Sequence, residues 1–234
     1  MFDFHLGDGL TVSSAALSSP LVVLGRAGQG KSVFLLQVAL ELIQNKQHGI
    51  LYDPFGDLAK DIQTHLQSTE AKQQATFVTQ DQFLTSITEI NSFVVISGNL
   101  FEDGAASTRV AAYKVLKKAY TLLSPTDWII IDEAFDMVDD ELFQSYLAKN
   151  GVPKAVLCDQ SIMTKLSKKQ RDALFENTKQ WVIYKPQNVD GRMIEEYLKN
   201  PTAKQIAAME QYHFYWINNG KPTYTRGVWP IQTR

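Results

Sequence analysis

One stretch of the chain decides the fold: Leu21-Val22-Val23-Leu24-Gly25-Arg26-Ala27-Gly28-Gln29-Gly30-Lys31-Ser32. Its last eight residues complete the pattern G-x-x-x-x-G-K-[ST], between an apolar run and a helical stretch that begins at Val33. Glycines let successive backbone N–H groups point at phosphate oxygens, and the following helix directs its positive dipole end at the same anion. We therefore predict that residues 25–32 bind the phosphates of ATP. Lys31 would reach the β and γ phosphates, and the Ser32 hydroxyl would ligate Mg²⁺.

Short apolar runs alternate with longer amphipathic stretches along the rest of the chain, which is typical of βαβ units around a mainly parallel sheet. The predicted strands are 21–25, 49–53, 75–78, 93–97, 128–132, 155–158 and 181–184. The predicted helices are 30–45, 56–66, 81–90, 105–123, 139–149, 163–176 and 189–199. Asn219-Gly220 separates two β-rich runs and predicts an antiparallel C-terminal β-hairpin within residues 210–230.

The fold class expected from this pattern is α/β, with a mainly parallel central sheet flanked by helices. No linker interrupts the 234 residues, so we expect a single domain over 1–234 in which residues 1–19 are an N-terminal extension. The single cysteine, Cys158, excludes a disulfide framework within the chain and a multi-thiolate zinc site. Lys and Arg total 23 against 25 for Asp and Glu, so any contact with nucleic acid must be local.

Two further strand ends carry candidate catalytic residues. The apolar run 128–131 ends in Asp132-Glu133, where Asp132 would support the metal ion and Glu133 would polarise the attacking water. This pair favours ATP hydrolysis over phosphate transfer to a hydroxyl, because a kinase gains nothing from activating water. Gln160 follows the run 155–158 and would sense the γ-phosphate or orient water, although polar residues are also common at the start of a helix.

A fourth strand, 49–53, ends in Asp53-Pro54 ahead of Gly56. In their order along the chain, the phosphate loop, this Asp-Pro-x-Gly turn, the Asp132-Glu133 pair and Gln160 resemble the FtsK/HerA superfamily of DNA-pumping ATPases over about residues 20 to 200. The short chain, in which we expect no transmembrane segment or signal peptide, is most similar within that superfamily to the genome-packaging ATPases of membrane-containing, tailless double-stranded DNA viruses.

The resemblance implies a RecA-like P-loop NTPase that uses ATP and Mg²⁺. It also implies a homo-oligomeric ring, a hexamer being favoured, with double-stranded DNA through its centre and a capsid vertex or viral membrane protein as docking partner. The protein would then be found in the host cytoplasm or associated with the virion. Two other functions remain open: a conjugation or plasmid-mobilisation ATPase of the same superfamily, and a nucleotide-binding assembly factor that moves no DNA.

One position departs from the resemblance. Family members commonly carry an Arg shortly before the Gly that precedes the Gln-ending strand, and this Arg reaches the γ-phosphate of a neighbouring subunit. Here Lys149 is nearest to that position, and Lys lacks the planar fork of Arg. The trans-acting cation is therefore open among Lys149, Arg171 and Arg192. Two basic runs, at 114–118 and 165–171, are either solvated helix faces or contacts for DNA phosphates.

Overall fold

The computed structural model describes residues 2–17, 20–67, 73–98, 105–137, 140–148 and 153–228. The strands are β1 (Asp3–Gly7), β2 (Leu10–Ser13), β3 (Leu21–Leu24), β4 (Gly49–Asp53), β5 (Ala75–Thr79), β6 (Phe93–Ser97), β7 (Trp128–Ile131), β8 (Lys154–Asp159), β9 (Gln180–Tyr184), β10 (His213–Asn218) and β11 (Lys221–Arg226). The helices are α1 (Lys31–Gln44), α2 (Asp57–Leu66), α3 (Gln80–Ser86), α4 (Ala105–Leu122), α5 (Ala134–Met137), α6 (Asp140–Leu147), α7 (Lys168–Asn177), α8 (Asn188–Leu198) and α9 (Ala203–Ala207).

Nine of these strands form the central sheet, in the order β11-β10-β9-β3-β8-β7-β4-β6-β5. From β9 to β5 every neighbouring pair is parallel, whereas β10 is antiparallel to both β9 and β11. The carboxyl ends of β3, β8, β7 and β4 consequently lie side by side at one edge of the sheet. In open α/β sheets this edge is where ligands bind.

The inner strands are apolar except for polar residues at the ends of some of them, because helices cover both faces of the sheet. All residues of β3, β4, β7 and β9 are buried, and Trp128 and Trp181 are among the largest fully buried side chains. The α1 helix follows the phosphate loop and packs Phe34, Leu35 and Val38 into the same core. The phosphate loop is therefore held between a buried strand and a buried helix.

The predicted fold class is confirmed, including the C-terminal hairpin formed by β10 and β11. Its turn has positive φ angles at Asn219 and Gly220, as a two-residue hairpin turn requires. The N-terminal extension folds as a separate hairpin of β1 and β2, which the sequence pattern did not predict. Glu41 of α1 anchors this hairpin, since both of its carboxylate oxygens accept the His5 backbone N–H, at 3.0 and 3.1 Å.

Two predicted helix boundaries are wrong by more than two residues. The helix expected over 81–90 ends at Ser86, and the other error matters for the site. The helix expected over 163–176 begins only at Lys168, because Ser167 caps it by accepting the backbone N–H of Gln170. The preceding residues form a turn in which Asp190 accepts the backbone N–H groups of Ile162 and Met163, at 2.9 Å each. Lys165 therefore lies in a turn before α7, not on a helix face.

Among the described residues, no helix has both the length and the apolar character that crossing a membrane requires.

Candidate active site

The phosphate loop joins β3 to α1 at the carboxyl edge of the sheet. Gly28 and Gly30 adopt φ angles of 73° and 112°, a region that side chains with a Cβ rarely enter. Lys31 is only 8% exposed, and its Nζ lies 3.4 Å from the carbonyl oxygen of Arg26 within the same loop. The loop thus presents its backbone and one ammonium group to the space above it, as the sequence pattern predicts for residues 25–32.

Asp132 and Glu133 follow β7 at the same edge. Burial raises the pKa of Asp132 to about 6, against a hydrogen bond from the Cys158 thiol that favours the carboxylate. Glu133 has a φ of 51°, a left-handed conformation that costs a residue with a side chain about 1–3 kcal/mol. Its backbone is held there by two hydrogen bonds, from its own N–H to Asp132 Oδ1 and from the Asp136 N–H to its carbonyl oxygen.

Gln160 follows β8 and meets Glu133 directly. Its Nε2 donates to Glu133 Oε1 at 2.6 Å. The preceding residue, Asp159, is fully buried and accepts the backbone N–H groups of Gln160 and Phe135, at 2.6 and 2.9 Å. Asp159 thereby ties the end of β8 to the start of α5, and burial raises its pKa to about 6.

These groups surround one cavity of about 470 Å³. It is lined by Ala27, Gly28, Gly30, Lys31, Ser32, Val33, Asp53, Phe55, Asp57, Leu58, Asp61, Asp132, Glu133, Gln160 and Tyr212. The structure thus brings together the predicted phosphate-binding loop, the Asp-Glu pair and the predicted sensor Gln160. The cavity combines backbone N–H groups and an ammonium for phosphate with carboxylates for a metal and a water.

The oxygen donors in this cavity fit Mg²⁺. No group of three or more His, Cys, Asp or Glu side chains in the described ranges could hold a metal ion by itself. Protein-bound Mg²⁺ is usually held by one or two protein oxygens together with substrate phosphates and water. The Ser32 hydroxyl and the Asp132 carboxylate line the same cavity and are the residues that would hold the ion, as the sequence predicts.

Two side chains that the structure places at the site were not predicted as its members. Asp53 is 1% exposed, and its carboxylate accepts the backbone N–H groups of Phe55 and Ala59, which fixes the turn into α2. Lys165 extends from the turn after β8 to Glu133 Oε2, at 2.7 Å. The Asp-Pro-x-Gly turn was a signal for Asp53, but nothing in the sequence singled out Lys165 from the neighbouring lysines.

The C-terminal region closes the other side of the phosphate loop. Gln211 Nε2 donates to the carbonyl oxygen of Gly28 at 2.9 Å, and Tyr212 lines the main cavity. A second cavity, of about 430 Å³, lies between the phosphate loop and β11 and is lined in part by Val33, Tyr212 and Arg226. The segment before β10 therefore contacts the nucleotide-binding loop directly.

The candidates for a trans-acting cation stay predictions. Lys149 lies outside the described residues. The Arg171 side chain forms a hydrogen bond within its own chain, since its Nη1 donates to the Leu166 carbonyl at 2.6 Å. Arg192 is exposed on α8. In the first basic run, Lys118 donates to the carbonyl oxygens of residues 83 and 84 at the end of α3, and so has a structural contact.

The fold and this cavity define a P-loop ATPase with a RecA-like core. The chain belongs to the family described as Schlafen group 3, DNA/RNA helicase domain, whose model matches residues 18–183. No curated protein matches the chain by sequence.

Many solved structures share the fold, among them the following three. The genome-packaging NTPase B204 of Sulfolobus turreted icosahedral virus 2, in complex with AMPPCP, is 17% identical, with a TM-score of 0.57 over 91% of this chain and 99% of its own. VirB4 of Thermoanaerobacter pseudethanolicus is 12% identical, with a TM-score of 0.70 over 92% and 91% of the two chains. The bacterial conjugative coupling protein TrwBΔN70 is 11% identical, with a TM-score of 0.70 over 96% and 89%. The similarity to FtsK/HerA-type ATPases that the sequence motifs indicated is thereby confirmed for the fold.

Proposed function

We propose that this protein is an ATP-driven motor that translocates double-stranded DNA and packages it into a preformed viral capsid. One observation carries the ATPase part of the proposal. Gln160 Nε2 donates a hydrogen bond to Glu133 Oε1 at 2.6 Å, and both residues line the cavity that Lys31 and Asp132 also line. A carboxylate that accepts a proton and an amide that orients water or phosphate are the groups that γ-phosphate hydrolysis requires.

In this proposal the phosphate loop binds the nucleotide, and each carboxyl-end residue has one task. Lys31 and the backbone N–H groups of residues 25–32 neutralise and orient the phosphates. Glu133 accepts the proton of the attacking water, while Gln160 contacts the γ-phosphate or the water. Mg²⁺ held through Ser32 and Asp132 would stabilise the charge on the phosphate oxygens.

The DNA-packaging part of the proposal is supported by two features. The similarity to B204 extends over 91% of this chain and 99% of that one, so the two share nearly the same set of elements. The family description, a DNA/RNA helicase domain, supports nucleic acid as the partner. By the same reasoning we propose a homo-oligomeric ring, with a hexamer favoured, around double-stranded DNA, and a capsid vertex or viral membrane protein as its docking partner.

The similarity to VirB4 and TrwBΔN70 favours a second candidate, a conjugation or plasmid-mobilisation ATPase. Their TM-scores of 0.70 exceed the 0.57 of B204, although their identities are lower. Both candidates require DNA-stimulated ATP hydrolysis. They differ in the partner, which would be a capsid or viral membrane protein in the first case and a relaxase in the second.

ATP turnover with and without double-stranded DNA tests the proposal. We expect Mg²⁺-dependent hydrolysis that DNA stimulates and that Lys31→Ala abolishes. Turnover that ignores DNA would instead support the nucleotide-binding assembly factor. The protein can be purified from cells that express the full gene neighbourhood. Co-purification with capsid proteins would favour the packaging motor, and co-purification with a relaxase would favour the conjugation ATPase.

A further inference from the structure

Lys165 lies at the centre of three carboxylates beside the catalytic cavity. Its Nζ is 2.7 Å from Glu133 Oε2, 2.6 Å from Asp136 Oδ2 and 2.8 Å from Asp159 Oδ1. Burial disfavours the charged ammonium. Asp159 and the hydrogen bonds to all three carboxylates outweigh this effect and raise the pKa of Lys165 above its usual value. The lysine is therefore a permanent cation next to the predicted general base.

Both carboxylate oxygens of Glu133 are engaged in this arrangement. Oε1 accepts from Gln160 Nε2 at 2.6 Å, and Oε2 accepts from Lys165 Nζ at 2.7 Å. A general base needs a lone pair directed at the water proton. Both oxygens of Glu133 instead accept hydrogen bonds from protein donors, so the carboxylate is poorly placed to take a proton from the attacking water.

Lys165 has two other carboxylate partners besides Glu133. Asp159 is fully buried and stays within reach, and the Asp136 side chain is 29% exposed and shares its other oxygen with Arg109. Lys165 could therefore release Glu133 and remain paired with two carboxylates. Breaking a buried ion pair is strongly destabilising when a charge is left unpaired. Movement of Lys165 among three carboxylates leaves its ammonium paired and avoids that cost. The cluster therefore allows two arrangements, one in which Lys165 contacts Glu133 and one in which it contacts only Asp136 and Asp159.

We propose that Lys165 is a positioning residue that restrains Glu133 in the absence of DNA. It limits ATP hydrolysis by the same subunit until it shifts to Asp136 and Asp159. This inference rests on the proposed ATP hydrolysis at this site. It assigns to Lys165 a role within its own subunit, distinct from contact with DNA phosphates and from the trans-acting cation.

Two substitutions test the restraint with opposite signs. Lys165→Gln removes the ammonium but keeps a donor for Asp159, and it should raise kcat without DNA by about threefold or more, with KM for ATP changed less than about twofold. Asp136→Asn removes one alternative partner of Lys165, which then remains on Glu133, and it should lower kcat without DNA. Because Asp136 is partly exposed, this second variant leaves no unpaired buried charge and is expected to fold.

Controls distinguish restraint from a structural role. Lys165→Arg keeps the positive charge, so its ATP turnover without DNA should be as low as that of wild type and lower than that of Lys165→Gln. Lys204→Gln changes an exposed lysine on α9, outside both basic runs, and should leave the DNA-free rate unchanged. Binding of a non-hydrolysable ATP analogue, measured by calorimetry, should be the same for wild type, Lys165→Gln and Asp136→Asn, and thermal melting reports whether each variant is folded.

Lower turnover of folded Lys165→Gln, with analogue binding intact, would show that Lys165 promotes hydrolysis and would overturn the restraint. Equal turnover of Asp136→Asn and wild type would overturn the shift between carboxylates. If wild type hydrolyses ATP and DNA stimulates it, but neither variant changes the DNA-free rate, this inference is wrong and the proposed function stands. If no protein, wild type or variant, hydrolyses ATP, both are wrong.

Discussion

Gln160 donates from Nε2 to Glu133 Oε1 at 2.6 Å although 27 positions separate the two residues along the chain. The register of the parallel strands explains the contact. Ile131 of β7 pairs with Leu157 of β8, so continuing both strands by two or three residues sets Glu133 beside Gln160. Strand pairing therefore brings together the predicted general base and the predicted sensor. A shift of one residue in the register of β7 against β8 would abolish their contact.

Lys31→Ala should abolish ATP binding. The lysine is the ammonium of the phosphate loop, and among the described residues its Nζ has one hydrogen bond, to the Arg26 carbonyl at 3.4 Å, so its loss disrupts no hydrogen-bond network. We expect a loss of nucleotide affinity of at least about 100-fold with an unchanged melting temperature. Calorimetric titration with ATP measures the first and thermal melting the second. Lys169→Ala, at an exposed position on α7, is the matched control, and normal ATP turnover by Lys31→Ala would contradict the assignment of the phosphate loop.

Glu133→Gln should bind ATP and not cleave it. The amide keeps the shape and the contact with Gln160, but it does not take a proton from water. We expect kcat to fall by about 100-fold or more while affinity for ATP is retained. Single-turnover hydrolysis and equilibrium binding of ATP separate the two effects. Glu141→Gln, on the exposed face of α6, controls for loss of one carboxylate, and hydrolysis at the wild-type rate by Glu133→Gln would assign the water-activating role elsewhere.

The sequence predicts most of the sheet because each buried parallel strand is a continuous apolar run bounded by polar residues. The runs 49–53 and 93–97 coincide with β4 and β6, and the other predicted parallel strands differ from the observed ones by one residue at one or both ends. The order of the strands across the sheet was not predictable in this way. It depends on crossover connections, about which local periodicity carries no information.

The same reasoning explains which part of the site was missed. Residues at strand ends, such as Asp132 and Gln160, are placed by the sheet itself and are visible as polar residues after an apolar run. Lys165 is placed by a turn that Asp190 holds through two backbone N–H groups, a contact between residues more than 20 positions apart. Periodicity extended the helix across this turn and so assigned Lys165 to a helix face.

The free energy of unfolding should fall as the pH rises from about 4 to about 6, owing to Asp159. Its carboxyl keeps its proton up to about pH 6 in the folded protein, because it is buried, but only to about 3.8 when unfolded. Between these values the folded state binds more protons, so rising pH removes stability, and the loss is complete above about pH 6. A difference of this size corresponds to about 3 kcal/mol at most.

Urea denaturation at several pH values, on wild type and Asp159→Asn, measures this effect. The comparison concerns the slope of stability against pH, since other carboxylates titrate in the same range and the substitution also removes one partner of Lys165. We expect the variant to lose less stability than wild type between pH 4 and 6. Parallel slopes for the two proteins would show that Asp159 does not titrate in this window.

Turnover per subunit should rise with protein concentration as subunits assemble. Within the described cavity the phosphate loop supplies Lys31, while Lys165 is paired with three carboxylates. The charge that develops on the γ-phosphate calls for a further cation, and in other NTPases an arginine finger contributes about 10³ to 10⁵ in rate. We predict that Lys149, Arg171 or Arg192 of one subunit supplies it to the next.

Mixing identifies that residue. Each of Lys149→Ala, Arg171→Ala and Arg192→Ala is mixed with Lys31→Ala, which has its own cation but no competent phosphate loop. Only the variant that lacks the trans-acting cation should regain turnover, because an inactive Lys31→Ala neighbour donates the missing cation to its intact loop. Arg192 is the best placed of the described candidates, since it is exposed on α8, whereas Arg171 is bonded to the Leu166 carbonyl. Light scattering on the same samples reports assembly, and turnover per subunit that stays flat on dilution to monomers, with no rescue in any mixture, would favour the slow assembly factor over the ring motor.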